Sequence, residues 1–131
     1  MCDVDRRHLG QGAEVVAQRT DGSRTPLLFK DYRRMLDCPE VLDAVVVSTA
    51  DHTHASVAAA ALRRGLHVYC EKPLAHSPGE IRLLQGLARE KGLVTQMGTQ
   101  IHAGDNYRRV VELIRSAAIG EVQYAQVWVS K

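Results

Sequence analysis

Several features that would point to other classes of protein are scarce or missing in this sequence. Its three cysteines include no Cys-x-x-Cys pair, which indicates reduced thiols and a cytoplasmic setting rather than a disulfide framework. The net charge is only +2 and the arginine pairs are scattered, so neither nucleic acid nor a membrane surface is indicated as a partner. No apolar run reaches transmembrane length, and no signal-peptide apolar region is found at the N-terminus. We therefore expect a cytoplasmic protein that binds neither nucleic acid nor membrane.

Apolar runs and helical patterns alternate along the chain. With 131 residues, 45% of them apolar and 24% charged, the sequence has the size and composition of one globular domain. Residues 44–48, 66–70 and 93–97 have strand character, and the helices between them require right-handed crossovers and a parallel sheet. The first run is continuously β-branched, which predicts a strand buried on both faces. The sequence therefore predicts a doubly wound α/β domain with these three runs as neighbouring strands.

Helix boundaries are indicated by capping residues and by glycine or proline. The residues that can cap four predicted helices are Asp5, Asp31, Ser77 and Asp105. Pro78 suits the first position of its helix and Glu80 completes a capping box with Ser77. Gly10-Gln11-Gly12 interrupts the first helical pattern. Residues 13–17 could continue that helix or form a short extended run. A short strand is expected at residues 26–29. The second predicted helix follows it and is expected to end at Pro39.

The last part of the chain predicts one more helix and one more strand. The helix should run from its cap to Ala117 or Ala118. Its apolar residues are expected to face inward: Val110, Val111, Leu113 and Ile114. Along residues 122–129, successive side chains fall alternately on two faces, which predicts a strand with only one face buried. It would differ from the strand predicted at residues 44–48, which is expected to be buried on both faces.

The run Val68-Tyr69-Cys70-Glu71-Lys72-Pro73-Leu74 ends a strand in an acid, a base and a proline. Pro73 cannot continue a central strand because it lacks the ladder N–H. Glu71 and Lys72 should therefore lie at the carboxyl edge of the sheet, where ligands bind in open α/β folds. A lysine held there can donate or accept a proton, whereas the simpler interpretation is a surface pair entering a loop. The Lys72-Pro73 bond is predicted to be cis, which costs only about 0.5–1 kcal/mol before proline.

An ordered set of segments runs through nearly the whole chain: Asp43-Ala44-Val45-Val46-Val47-Ser48-Thr49, His54, Gly65-Leu66-His67-Val68-Tyr69-Cys70-Glu71-Lys72-Pro73-Leu74-Ala75, Val94-Thr95-Gln96-Met97-Gly98-Thr99-Gln100 and Ile119-Gly120-Glu121-Val122. In this order and spacing they resemble the Gfo/Idh/MocA oxidoreductases, the relatives of glucose–fructose oxidoreductase and inositol dehydrogenase. The resemblance implies a Rossmann-like domain and an NAD(P)-dependent dehydrogenase of a sugar, polyol or related compound.

The resemblance also implies roles for particular residues. Lys72 matches the family's catalytic lysine, which takes a hydroxyl proton while hydride leaves the carbinol carbon. Asp3 matches the acid that accepts hydrogen bonds from the adenosine ribose, which favours NAD over NADP. Further residues that match the family's cofactor-lining positions are Thr49, Asp51, His54, Glu71, Pro73 and Gln100. A sugar or polyol is the implied small-molecule partner, and the full-length enzyme is implied to be a homo-oligomer.

Two parts of the family pattern are not found. The first strand and its Gly-x-Gly-x-x-Gly turn are absent, since Gly10-Gln11-Gly12-Ala13-Glu14-Val15 follows no strand and has valine at the third glycine. We therefore expect residues 1–120 to be a truncated doubly wound sheet, a partial NAD(P)-binding Rossmann domain. Residues 121–131 would be the first strand of a missing substrate domain. Such an internal slice is expected to be inactive by itself.

Other interpretations of single residues and of the whole chain stay open. His52 and His54 could be a metal pair, but no further ligand occurs at a suitable spacing, and no metal is expected. His102 could face substrate, and Cys70 is expected to be an inert strand residue rather than a nucleophile. At the level of function, a noncatalytic domain that binds a nucleotide weakly or a partner chain is one alternative. A Schiff-base enzyme that uses Lys72 as its nucleophile is another.

Overall fold

The computed structural model describes residues 1–38 and 42–129. Three parallel strands form its sheet in the order β1 (Ala44–Val47), β2 (His67–Cys70) and β3 (Thr95–Met97). This confirms the predicted parallel pairing of the three apolar runs, although each strand is slightly shorter than the run that predicted it. The alternation of these strands with helices is that of a Rossmann-like α/β fold.

The described residues form five α-helices: α1 (Arg6–Arg19), α2 (Tyr32–Leu36), α3 (His54–Arg63), α4 (Pro78–Glu90) and α5 (Asp105–Arg115). A short 3₁₀ turn, Asp51–Thr53, leads into α3. The chain forms two units, Met1–Gly98 and Thr99–Lys131, and the sheet belongs to the first. The expected domain division at residue 120 stays a prediction. No helix in the described part of the chain is long and apolar enough to cross a membrane.

The core of the first unit lies on one face of the sheet. Helix α3 packs on β1, β2 and α4, and Val45 and Val47 of β1 are buried beneath it. Val46 points to the opposite face and is 71% exposed, and Tyr69 on β2 is 39% exposed. The prediction that β1 is buried on both faces is therefore wrong. Successive strand side chains alternate between faces, and α3 and α4 both contribute to the core on the same face.

Helix α1 begins at the predicted cap but does not break at its glycines. The Arg7 backbone N–H donates to Asp5 Oδ1 at 2.8 Å, and the helix then continues through Gly10 and Gly12 to Arg19. The predicted interruption is wrong. A glycine inside a helix costs only about 1 kcal/mol relative to alanine, which a 14-residue helix can absorb.

Helices α2 and α4 also begin at predicted caps. Asp31 Oδ1 accepts the Arg33 backbone N–H at 2.9 Å, and Ser77 Oγ accepts the Glu80 backbone N–H at 3.3 Å. The capping box is incomplete, because the Glu80 carboxylate accepts from the His76 backbone N–H rather than that of Ser77. The proline expected to end α2, Pro39, lies outside the described residues.

Residues 26–29 do not form the predicted strand. A single parallel bridge joins Cys2 to Phe29, with the Asp3 N–H donating to the Phe29 carbonyl and the Phe29 N–H donating to that of Met1. This bridge gives the residues before α1 one extended pairing, which places Asp3 at its end. The pairing is too short to count as a strand.

The second unit differs most from its prediction. Asp105 is the first residue of α5, whose N-cap is Gly104, and the helix ends at Arg115. The apolar residues expected to face inward are 44–46% exposed: Val110, Val111, Leu113 and Ile114. Residues 122–129 have no regular structure, so the predicted strand is wrong. A strand needs a neighbour for its backbone hydrogen bonds, and the described part of this unit contains none.

Candidate active site at the carboxyl edge of the sheet

The register of the strands brings three chain segments to one edge of the sheet. Val47 is paired with Cys70, and Cys70 with Met97, so the residues that follow the three strands leave the sheet together. The Glu71 N–H donates to the Val47 carbonyl at 2.9 Å, and the Gly98 N–H donates to the Cys70 carbonyl at 2.8 Å. This is the edge at which open α/β sheets bind ligands.

Lys72 lies directly beyond β2 at this edge, as predicted. The Lys72-Pro73 peptide bond is cis, which confirms the prediction made from the sequence. The lysine side chain is exposed, and no hydrogen bond or ion pair reaches it from residues 1–38 or 42–129. Its amine therefore faces the solvent and is available to a bound molecule.

Glu71 and Tyr69 approach the same point beside Gly98. A Cβ atom placed on Gly98 would lie 2.5 Å from Glu71 Oε2 and 2.7 Å from Tyr69 Oη. The absence of a side chain at Gly98 therefore lets the Glu71 carboxylate and the Tyr69 phenol approach the same point. Sequence reasoning missed both Tyr69 and Gly98. The available signal was a glycine directly after the third strand run.

The loop after β1 is held by its own hydroxyl groups. Thr53 Oγ1 lies 2.7 Å from both Thr49 Oγ1 and the Ala50 carbonyl oxygen. Thr49 and Asp51 are exposed on this loop, which keeps them accessible to a ligand. That they contact a cofactor stays a prediction.

His54 does not face the solvent with this loop. Its side chain is 1% exposed, with Nδ1 2.7 Å from the Pro73 carbonyl oxygen and Nε2 2.9 Å from the Thr49 carbonyl oxygen. Both ring nitrogens are therefore taken up by the backbone of the two loops. The predicted contact of His54 with a cofactor is not tested by this arrangement.

A cavity of about 810 Å³ opens in the first unit. Its lining brings together Asp3 and Thr49, two of the residues singled out in the sequence, with Ser48 and the cations Lys30 and Arg33. The Asp3 carboxylate accepts the Asp5 N–H at 2.8 Å, and its other oxygen lies 3.5 Å from His8 Nδ1. Each carboxylate oxygen keeps a further lone pair for a hydroxyl donor.

The donors and acceptors around this cavity fit an adenosine group. The volume lies within the range of small-molecule pockets, roughly 300–1,000 Å³. A carboxylate beside exposed hydroxyls suits a ribose, and Lys30 supplies positive charge for phosphate, whereas Arg33 is paired with Asp31 of the same lining. Ser48 and Arg33 were missed by sequence reasoning, because their position depends on how β1 and the Cys2–Phe29 bridge are arranged in space.

Gln100 belongs to the second unit, Thr99–Lys131, and its role stays a prediction. Cys70 is buried at 1% exposure, and this burial, followed by the charge of Glu71, raises the pKa of its thiol, which suits an inert core residue. Within the described residues, no three histidine, cysteine, aspartate or glutamate side chains are grouped as metal ligands.

Several similar proteins are dehydrogenases, and another is a glycosyl hydrolase family 109 protein from Akkermansia muciniphila, 28% identical over 96% of this chain and 26% of its own length. A levoglucosan dehydrogenase from Pseudarthrobacter phenanthrenivorans is 31% identical over 75% of this chain and 26% of its own length. An inositol 2-dehydrogenase from Saccharopolyspora erythraea is 34% identical over 85% of this chain and 32% of its own length. The chain thus spans about a quarter to a third of these relatives.

Solved structures of a dehydrogenase and a reductase are also similar to this chain. A scyllo-inositol dehydrogenase from Lactobacillus casei with bound NAD(H) and scyllo-inositol is 25% identical, with a TM-score of 0.73 over 92% of this chain and 33% of that one. A 3-ketoreductase from Actinomadura kijaniata in complex with NADP is 29% identical, with a TM-score of 0.69 over 86% of this chain and 34% of that one. The model of the oxidoreductase family with an NAD-binding Rossmann fold matches residues 7–99. On this evidence of sequence and fold, the chain belongs to the Gfo/Idh/MocA oxidoreductase family.

Proposed function

We propose that this protein is an NAD(P)-dependent dehydrogenase of a sugar, polyol or related compound, with Lys72 as its acid/base group. The observation that carries the proposal is the position of Lys72, an unpaired amine at the carboxyl edge of a parallel sheet in an NAD-binding oxidoreductase family. The similar levoglucosan and inositol dehydrogenases support a polyhydroxy substrate.

The described residues support binding of the cofactor's adenosine end in the cavity beside Asp3. Asp3 would accept hydrogen bonds from ribose hydroxyls, which favours NAD over NADP. Thr49 lines the same cavity, while Glu71 and Pro73 stand beside Lys72 on the sheet edge. We assign these residues, with Asp51, to cofactor contacts, and we expect the complete enzyme to be a homo-oligomer.

Lys72 acts in this proposal by moving a proton. Oxidation of a secondary alcohol removes a hydride from carbon and a proton from oxygen, and the bound nicotinamide supplies the hydride acceptor. The neutral Lys72 amine accepts the hydroxyl proton at Nζ as the carbonyl forms. Because the side chain is exposed, the resulting ammonium can pass its proton on to water.

The test compares two lysines in the complete enzyme. Lys72→Ala should lower turnover by about 10²–10⁴-fold, the usual effect of losing a general acid or base, with NAD binding nearly unchanged. Lys91→Ala is the matched control, since Lys91 is an exposed lysine at the end of α4. NADH formation is followed with a panel of inositols, levoglucosan and hexoses.

Two results would contradict the proposed role of Lys72. One is turnover in Lys72→Ala that equals turnover in Lys91→Ala, which would make Lys72 an ordinary loop residue. The other is an adduct of a carbonyl substrate on Lys72 that borohydride traps by reducing the imine to a secondary amine, found by mass spectrometry. That adduct would show Schiff-base chemistry in place of proton transfer.

A further inference from the structure

One buried histidine touches the backbone on both sides of the candidate active site. His54 is the first residue of α3, and among the described residues it is the polar side chain that is buried. Its Nδ1 lies 2.7 Å from the carbonyl oxygen of Pro73, the residue after Lys72. Its Nε2 lies 2.9 Å from the carbonyl oxygen of Thr49, just after β1.

Both partners of the His54 ring can only accept hydrogen bonds. A neutral imidazole carries one N–H and one lone pair, so it can donate to only one carbonyl. A second proton would make the ring a buried cation, which is costly without a counter-charge. The Pro73 carbonyl is the nearer of the two, so Nδ1 is assigned as the nitrogen that donates. No ion pair or hydrogen bond within the described ranges joins His54 to a charged side chain.

The parts of the chain that the ring joins differ in how firmly they are held. The Thr49 loop is closed by Thr53 through its hydroxyl and backbone N–H groups, and α3 is anchored by buried residues such as Ala55 and Ala58. Among the contacts found in residues 1–38 and 42–129, the His54 ring is the one partner of the Pro73 carbonyl and also of the Thr49 carbonyl. The contact of the ring with Pro73 therefore fixes the position of the turn that carries Lys72 relative to this loop and to α3.

We propose that His54 is a positioning residue for Lys72, with a buried ring that lies between the Pro73 and Thr49 carbonyl groups and ties the Lys72-Pro73 turn to the loop after β1. The consequence for catalysis rests on the proposed function, because it assumes that Lys72 transfers the proton. The tie itself does not depend on that assumption and can be tested in the 131-residue chain.

Two substitutions separate the two contacts. The amide nitrogen of asparagine takes the place of Nδ1, so His54→Asn keeps a donor for the Pro73 carbonyl. The amide nitrogen of glutamine takes the place of Nε2, so His54→Gln keeps a donor for the Thr49 carbonyl. Each variant retains a polar side chain in the buried site, and the two form a matched pair.

The first measurement is the side-chain ¹⁵N chemical shifts of the His54 ring, which show the nitrogen that carries a proton. We expect a protonated-type shift at Nδ1, which lies 2.7 Å from the Pro73 carbonyl oxygen, with the exposed His52 and His76 in the same spectrum as references. An Nδ1 without a proton would overturn the proposal, because the ring could then not donate to the Pro73 carbonyl.

The second measurement is amide hydrogen exchange at Glu71, next to the turn, and at Val68 in the middle of β2. Loss of one hydrogen bond should speed exchange at Glu71 about fivefold in His54→Gln, with Val68 unchanged and His54→Asn close to the unmodified chain. Equal acceleration at Glu71 and Val68 in both variants would overturn the proposal, since the histidine would then only stabilise the fold.

A third measurement in the complete enzyme connects the turn with catalysis. His54→Gln should lower kcat about fivefold without changing KM for NAD, whereas His54→Asn should keep most of kcat. An equal loss in both variants would overturn the positioning role. If Lys72→Ala proves harmless while the ring and exchange results hold, the proposed function fails but the tie made by His54 does not.

Discussion

Gly98 determines how closely the Glu71 and Tyr69 side chains can approach the end of β3. A Cβ atom at this position would lie 2.5 Å from Glu71 Oε2, 2.7 Å from Tyr69 Oη and 2.8 Å from Glu71 Cδ. Heavy atoms do not approach a Cβ so closely, so a side chain at Gly98 would have to displace the Glu71 carboxylate. The atoms it meets are the ends of side chains, which can move at moderate cost.

We expect Gly98→Ala to lower the free energy of unfolding by about 1 kcal/mol, the lower end of the range for overpacking. Urea denaturation of the 131-residue chain measures this change. Adding Tyr69→Phe removes the 2.7 Å contact and should restore part of the loss.

A second glycine provides the control for this substitution. Gly86 lies within α4, and a Cβ atom there would meet nothing within 4 Å. Gly86→Ala should therefore raise the free energy of unfolding by up to about 1 kcal/mol through helix propensity. If the two alanine variants shift stability in the same direction, the packing assigned to Gly98 is wrong.

Single residues were predictable where the chemistry is local to the chain. Pro73 cannot continue a strand, so the place of Lys72 beyond β2 followed from neighbouring residues. The orientation of His54 did not, because its partners are carbonyls 5 and 19 residues away. No pattern in one sequence shows which way such a ring turns.

At the level of elements, the charged N-cap residue of α1 makes the stability of the folded chain depend on pH. Asp5 accepts hydrogen bonds from the side chain and the backbone N–H of Arg7. These bonds favour the carboxylate, and the guanidinium bond followed by the backbone bond lowers the pKa of Asp5 below its usual value. The unfolded chain therefore binds a proton at Asp5 more readily than the folded chain does.

We expect the contribution of Asp5 to stability to be complete above its unfolded pKa of about 3.9 and to disappear as pH falls through its lower folded pKa. Asp5→Asn keeps a capping oxygen for the Arg7 N–H but does not titrate. The difference in unfolding free energy between the unmodified chain and this variant should shrink towards zero as the medium is acidified.

Denaturation curves at a series of pH values from neutral to strongly acidic check this expectation. Asp31→Asn, at the cap of α2, is the parallel case, because bonds to Arg33 likewise lower the pKa of Asp31. A difference between the unmodified chain and the Asp5→Asn variant that does not vary with pH would show that the carboxylate charge adds nothing to the cap.

Helices and strands were predicted well where the residues that determine them are close together in the sequence. The caps at Asp5, Asp31 and Ser77 and the three parallel strands are where the sequence places them. Residues 122–129 have an equally clear strand pattern but no strand. A strand depends on a partner elsewhere in the chain, and alternation of side chains cannot show whether that partner exists.

At the level of the whole molecule, burial was the least predictable property. The β-branched run of β1 suggested cover on both sides, yet the outer face carries exposed Val46. The second unit exposes a similar excess of apolar surface, with Trp128 77% exposed. Propensity and periodicity report what a segment can bury, whereas its actual burial depends on which other elements pack against it.

The arrangement of the glycines leads to an expectation for cofactor binding by the 131-residue chain. Dinucleotides place their pyrophosphate on backbone N–H groups of a glycine-rich turn between a strand and a helix. Gly10 and Gly12 lie inside α1, and no described strand is followed by such a turn. Two missing hydrogen bonds to charged oxygens, at about 1.5–3 kcal/mol each, weaken binding on the order of 100-fold or more.

We therefore expect this chain alone to bind NADH only weakly, through the cavity beside Asp3, and to show no measurable hydride transfer. NADH fluorescence and that of Trp128, the single tryptophan, follow a titration of the purified chain. Asp3→Asn should weaken the residual binding further because an amide oxygen is a poorer acceptor for ribose hydroxyls than a carboxylate. Saturable binding in the low micromolar range that Asp3→Asn leaves unchanged would show that the dinucleotide is held elsewhere, by groups other than this cavity.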